Sequence, residues 1–284
     1  LKIFHTRASL SEYLLKQKAL GQKIGFVPTM GALHPGHLSL IQIAREHADL
    51  VVCSIFVNPT QFNDPNDLDR YPRPLEQDLK QLRKAACDIV FLPEVQEMYR
   101  TGESWHLDLD GLDLLMEGEH RPGHYQGVTQ IVKKLFDTVE PDVAFFGQKD
   151  YQQFLVLDKM VQKLGLHVKL LMCPIIREAD GLAMSSRNIH LSTVERSNAL
   201  ALYRTLTWMK AHVDEYDLPA LKEQAKAMLM QSPGIDLAYL AVCDGQTLQS
   251  AESKNTKKIV ALVAAKVGET RLIDNILLKD EGSV

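Results

Sequence analysis

Cysteine is scarce and scattered: Cys53, Cys87, Cys173 and Cys243 are the only four, and no two form a Cys-x-x-Cys pair. That argues against a disulfide framework or a thiolate zinc site and predicts buried thiols in a reducing compartment. No apolar stretch approaches the roughly 18 residues of a membrane-spanning helix, and the first residues carry no basic-then-apolar leader pattern. A cytoplasmic protein with no membrane partner is the expectation. Positive charge is not in excess, with 32 Lys+Arg against 36 Asp+Glu and a net charge of -4. The basic footprint of a nucleic-acid binder is therefore missing. Internal repeats, low-complexity tracts and an extended linker are absent too, which leaves closely packed domains around a shared cleft.

What is present is ordinary globular composition over 284 residues, 45% hydrophobic and 24% charged, enough for one large domain and a smaller one. Short β-branched runs at 23–27, 50–57, 88–92, 142–146 and 167–172 alternate with helical patterns at 37–47, 75–87, 125–139 and 151–164. This rhythm predicts an α/β, Rossmann-like, doubly wound parallel sheet. Right-handed crossovers bring the carboxyl ends of such strands to one edge, where ligands bind. After residue 177 the rhythm changes to a loop at 178–188, helices at 193–213 and 218–230, and strands at 235–242, 259–267 and 271–277. A smaller α+β domain over 178–284, following a first domain over 1–177, is expected. Within 99–119, Trp105 to Leu109 alternates like an edge strand or insertion.

Four segments carry chemistry. The run Val27-Pro28-Thr29-Met30-Gly31-Ala32-Leu33-His34-Pro35-Gly36-His37 joins a strand to a helix. Its glycines open the backbone to a nucleotide, and the helix start offers free N–H groups to phosphates. His34 and His37, three apart, aim two imidazoles at one region, suited to donate hydrogen bonds to triphosphate oxygens and to a leaving pyrophosphate. Zinc ligation is disfavoured, because no carboxylate or third histidine stands nearby at ligand spacing. In Asn58-Pro59-Thr60-Gln61-Phe62, Gln61 and Asn58 either bind a carboxylate, hydroxyl or amine, or satisfy loop backbone. In Gly147-Gln148-Lys149-Asp150-Tyr151-Gln152-Gln153, Lys149 offers a cation to phosphate, Asp150 a ribose contact or a helix cap, and Gln153 shares their cleft. Finally, Asp180-Gly181-Leu182-Ala183-Met184-Ser185-Ser186-Arg187-Asn188 reads as a mobile lid hinged at Gly181, with two hydroxyls and a guanidinium for phosphates.

In order and spacing these segments resemble the pantoate–β-alanine ligase (pantothenate synthetase) family, within the His-x-Gly-His adenylyl-transfer superfamily. Tyr71-Pro72-Arg73 and Arg121-Pro122-Gly123-His124 add to the likeness. The resemblance implies ATP-dependent condensation of pantoate with β-alanine through a pantoyl adenylate, with Mg²⁺ and a cytoplasmic homodimer. It places Met30 through His37, Gly147 through Asp150, Ile176, and Met184 through Arg187 on ATP. His37 is the implied proton donor and His34 its partner. Gln61 and Gln153 would hold pantoate, with Gln61 beside β-alanine, and Asp78 would contribute to magnesium or pyrophosphate binding or else be a solvated helix residue. The competing expectations are a nucleotidylyltransferase acting on a phosphorylated cofactor precursor and a noncatalytic nucleotide- or RNA-binding module.

Overall fold

Six short apolar strands form one parallel sheet in the computed structural model, which describes residues 1–63 and 65–282. They are β1 (Lys2–Phe4), β2 (Ile24–Thr29), β3 (Leu50–Ile55), β4 (Ile89–Phe91), β5 (Val143–Gly147) and β6 (Lys169–Cys173), in the order β1-β4-β3-β2-β5-β6. Their side chains alternate between two cores. Phe26, Val52, Phe91 and Phe146 meet the helices Arg7–Ala19, His124–Val139 and Tyr151–Lys163 on one face. Val27, Cys53, Val90 and Phe145 meet the helices Pro35–His47 and Leu75–Lys84 on the other. A parallel sheet covered on both faces explains why the strands read as continuous apolar runs.

The position of the site follows from this order. β2 pairs with β3 on one side and β5 on the other, so the connections leaving β2 and β5 diverge and open a crevice beyond the carboxyl ends of those strands. The turns 30–37 and 147–153 flank it.

The second sheet is antiparallel: β7 (Ile235–Asp244), β8 (Lys258–Val267) and β9 (Thr270–Asp280), covered by the helices Thr193–His212 and Leu218–Met230. Ser192 and Glu195 start the first of these helices with a reciprocal capping box. The two sheets are joined by an apolar cluster in which Tyr125, Tyr151 and Val156 pack with Cys243, Val260 and Leu262. No helix among the described residues is long and apolar enough to cross a membrane.

One local expectation differs from the structure, and two elements were not expected. Trp105 to Leu109 is not a strand. The Gln126 side chain takes the place of a neighbouring strand, accepting from Leu107 N–H and donating to Leu107 C=O, both at 2.9 Å. β1 and the helix Arg7–Ala19 carry no signal in the sequence reading, because a three-residue edge strand is too short to establish a period.

Candidate active site

The turn after β2 is held in an unfavourable backbone shape. Gly31 and Ala32 have φ of 80° and 50°, the left-handed region that only glycine enters freely. Asp78, 1% exposed, enforces it: its two carboxylate oxygens accept Ala32 N–H and Leu33 N–H, each at 2.8 Å. Burial pushes this carboxyl above its ordinary pKa, against the pull of the two donors. The clamp sets the start of the helix Pro35–His47, where His34 is the cap.

Both imidazoles are oriented by backbone. His34 Nδ1 accepts Gly36 N–H at 3.1 Å, and His37 Nδ1 accepts His34 N–H at 3.4 Å. The neutral rings therefore carry their hydrogen on Nε2. The ring centroids are 4.0 Å apart, and both rings line the cleft. A side chain at position 36 would put Cβ 2.8 Å from His34 Cε1, so glycine is what lets the ring fold over the helix start. Burial, then Lys149, brings the His34 pKa down to about 4. Burial, His34 and Lys149 hold His37 well below its ordinary value. At neutral pH the site offers two uncharged N–H donors at the positive end of a helix.

The facing wall comes from β5. A Cβ on Gly147 would meet nothing within 4 Å, leaving its backbone open to a ligand. Lys149 lines the cleft and has no ion-pair partner among the described residues; Asp150 caps nothing and is exposed there. The roof is the segment after β6. Met184 N–H donates to Ile176 C=O at 3.0 Å, Ser185 Oγ accepts Arg187 N–H at 3.3 Å, and Ser186 Oγ is 3.4 Å from Tyr71 Oη. Arg187 reaches Asp67 at 3.0 Å.

An inner compartment adjoins the histidines. Gln61 Oε1 accepts from Asn58 Nδ2 at 3.1 Å, which turns Gln61 Nε2 onto Met30 Sδ at 2.9 Å. Sulfur is a weak acceptor, so this amide end remains available to a carboxylate. Gln153 lines the same compartment. Buried His124 donates Nδ1–H to Gln61 C=O at 2.8 Å and presents Nε2 to Arg121 at 3.3 Å. Burial and Arg121 take the His124 pKa to about 3. Tyr71, Arg121 and His124 belong to the cleft lining; they stood in motifs, but nothing in their spacing assigned them to it.

The profile of the pantoate-beta-alanine ligase family matches residues 2–277. The chain belongs to that family. It is 46% identical to the pantothenate synthetase of Porphyromonas gingivalis over 99% of this chain and 100% of that one. The solved pantothenate synthetase of Thermus thermophilus superposes with a TM-score of 0.93 at 40% identity, covering 98% of this chain and 100% of that one. The pantoate-beta-alanine ligase of Francisella tularensis, solved with beta-gamma ATP and beta-alanine, gives 0.79 at 34% identity, covering 98% of each chain. The ligase is accordingly an ATP-dependent carbon–nitrogen ligase joining pantoate to β-alanine through an adenylate.

Several residues expected at the ATP site do not line the cleft. Leu33 is buried in the core, and Gly31 and Ala32 form the clamped turn behind the cleft, while Pro35 starts the helix exposed to solvent. Gln148 turns its amide away to Asn275 at 3.2 Å. Asn58, 1% exposed, has its amide engaged by Gln61, Gly127 C=O, Thr60 and Tyr99, so it orients Gln61 and has nothing left for substrate. Asp78 is not the solvated helix residue of one expectation: it is 1% exposed, and both its oxygens hold the turn. Gly181, the expected hinge, is packed in this structure. It lies against the Tyr203 ring, and its carbonyl accepts from Arg177 at 3.1 Å. Arg177 itself stacks on that ring with its guanidinium 4.4 Å from the centroid.

Proposed function

We propose that the cleft adenylates pantoate between the two histidines and Lys149 and then passes the acyl group to β-alanine in the same place. A free carboxylate is a poor electrophile, so its activation comes first. The carboxylate oxygen attacks the α-phosphorus of ATP in line, the bond to the β-phosphate oxygen breaks, and pyrophosphate leaves. The protein's part is to position reactants and to meet developing charge. Nε2–H of His34 and of His37, the Lys149 ammonium, the hydroxyls of Ser185 and Ser186 and the Arg187 guanidinium all line one cleft, and they supply the donors for the triphosphate. Gln61, Gln153 and Met30 form the pantoate compartment. Ile176, Met184 and the open backbone at Gly147 frame the nucleoside. In the second step the β-alanine amine attacks the acyl carbon, the acyl–phosphate bond breaks, and AMP departs with pantothenate.

The carrying observation is the pair of neutral, backbone-oriented imidazoles facing, across the crevice between β2 and β5, a lysine with no ion-pair partner among the described residues. Among the described residues no three His, Cys, Asp or Glu side chains converge as a metal cage. Mg²⁺ is commonly held by substrate phosphates with one or two carboxylates, and among the described residues Asp150 is the carboxylate that lines this cleft. Mg²⁺ thus fits as a companion of the triphosphate, supplying positive charge to the leaving pyrophosphate. The homodimer rests on family resemblance, and a cytoplasmic setting is supported by four buried free thiols.

One assay tests the reading. With pantoate and ATP, free AMP is expected to accumulate in proportion to added β-alanine. AMP retained in the acidic product would instead identify a nucleotidylyltransferase.

A further inference from the structure

Asp274 and Asn275 are consecutive residues of β9, yet both are buried, at 5% and 2% exposure. Neighbours in a strand point to opposite faces, so two buried polar side chains in succession mean that both faces of this edge strand are engaged. Neither residue lines the cleft of the histidines and Lys149. Asn275 Nδ2 donates to Gln148 C=O at 2.9 Å and to Lys149 C=O at 3.0 Å, while its Oδ1 accepts Gln148 Nε2 at 3.2 Å. All three bonds of the amide go to the turn that carries Lys149. Asp274 grips Arg177 with both oxygens, at 2.7 and 2.9 Å, and Arg177 passes the restraint to Gly181 C=O. Arg177 also bridges to Ala183, beside Met184 and Ser185.

We propose that Asp274 and Asn275 are positioning residues for adenylate formation, fixing the Lys149 turn and the Ser185–Arg187 segment relative to one another from the second sheet. Burying a carboxylate and an amide here costs free energy that an apolar pair would avoid, and the partners of both are the two loops that handle phosphate. Holding the carbonyls of Gln148 and Lys149 fixes the backbone from which the lysine side chain departs. This rests on the assignment of Lys149 and Ser185 to Arg187 to the triphosphate.

The test is pantoate-dependent ATP–pyrophosphate exchange in Asn275→Ala, Lys149→Ala and the double variant, with folding followed by thermal melting. Asn275→Ala is expected to lose about 10²-fold in kcat, the scale of a small misplacement of a charged group, with the pantoate KM changed by less than about two-fold. In the Lys149→Ala background the same substitution should cost under about three-fold, because the group being aimed is gone. Equal losses in both backgrounds overturn the inference alone. A normal exchange rate in Lys149→Ala overturns the phosphate assignment and the inference with it. Should Asn275→Ala not fold, Asn275→Asp keeps the shape and the acceptor for Gln148 but loses both donors, and the same cycle applies with the same expectation.

Discussion

Replacing Asp78 separates two roles that its place in the sequence leaves open. As a clamp, its loss strands two buried N–H groups, at Ala32 and Leu33, each costing about 1–3 kcal/mol. Ala32 then relaxes from its φ of 50°, recovering about 1–2 kcal/mol. Asp78→Ala is therefore expected to destabilise the protein by about 1–4 kcal/mol. Asp78→Asn, which keeps the volume and one acceptor, should cost about half as much. Urea denaturation gives the difference from the shift in midpoint at constant slope. The same turn carries His34, so exchange activity should fall in step while the Mg²⁺ concentration giving half-maximal rate stays put. If Asp78→Ala leaves stability within about 0.5 kcal/mol, the range of an unremarkable surface change, and raises the Mg²⁺ requirement instead, the clamp is refuted and the carboxylate is a metal ligand.

Gly36→Ala would drive Cβ against the His34 ring, 2.8 Å from Cε1 and 2.9 Å from Nδ1. Exchange is expected to drop by about 10²-fold in a protein that still melts cooperatively, and an unchanged rate would disprove the ring placement. Because His34 titrates near 4 rather than 6.5, the folded state binds fewer protons than the unfolded chain between those values. Stability therefore falls as pH is lowered through that window. His124, at about 3, adds to the loss in the same direction. NMR should find the His34 ring neutral at pH 6 with hydrogen on Nε2; titration near 6.5 would contradict this. Gly181→Ala, at φ 98° and facing Tyr203, should lower stability by about 1–3 kcal/mol. A change in turnover with no change in stability would restore the hinge.

Much of this protein was legible in its residues. Alternation of apolar runs with helical periods is imposed by burial on both faces of a parallel sheet, and it revealed the sheet from β2 to β6 and the change to consecutive antiparallel strands late in the chain. The spacing His34-Pro35-Gly36-His37 pointed to the helix start at which both imidazoles line the cleft, because a helix start dictates what residues three apart can do there. Sequence spacing has no access to partners brought together from distant segments. Asp78 lies 46 residues from the Ala32 N–H it holds, Arg121 60 from the Gln61 carbonyl, and Asn275 126 from the Lys149 carbonyl. A carboxylate or amide looks the same in a chain whether it meets solvent, a substrate or a backbone donor. Tertiary structure alone decided that Asp78 and Asn58 are spent on the protein itself while Lys149 and the two Nε2–H groups face the cleft, because only packing determines which polar groups are satisfied within the protein.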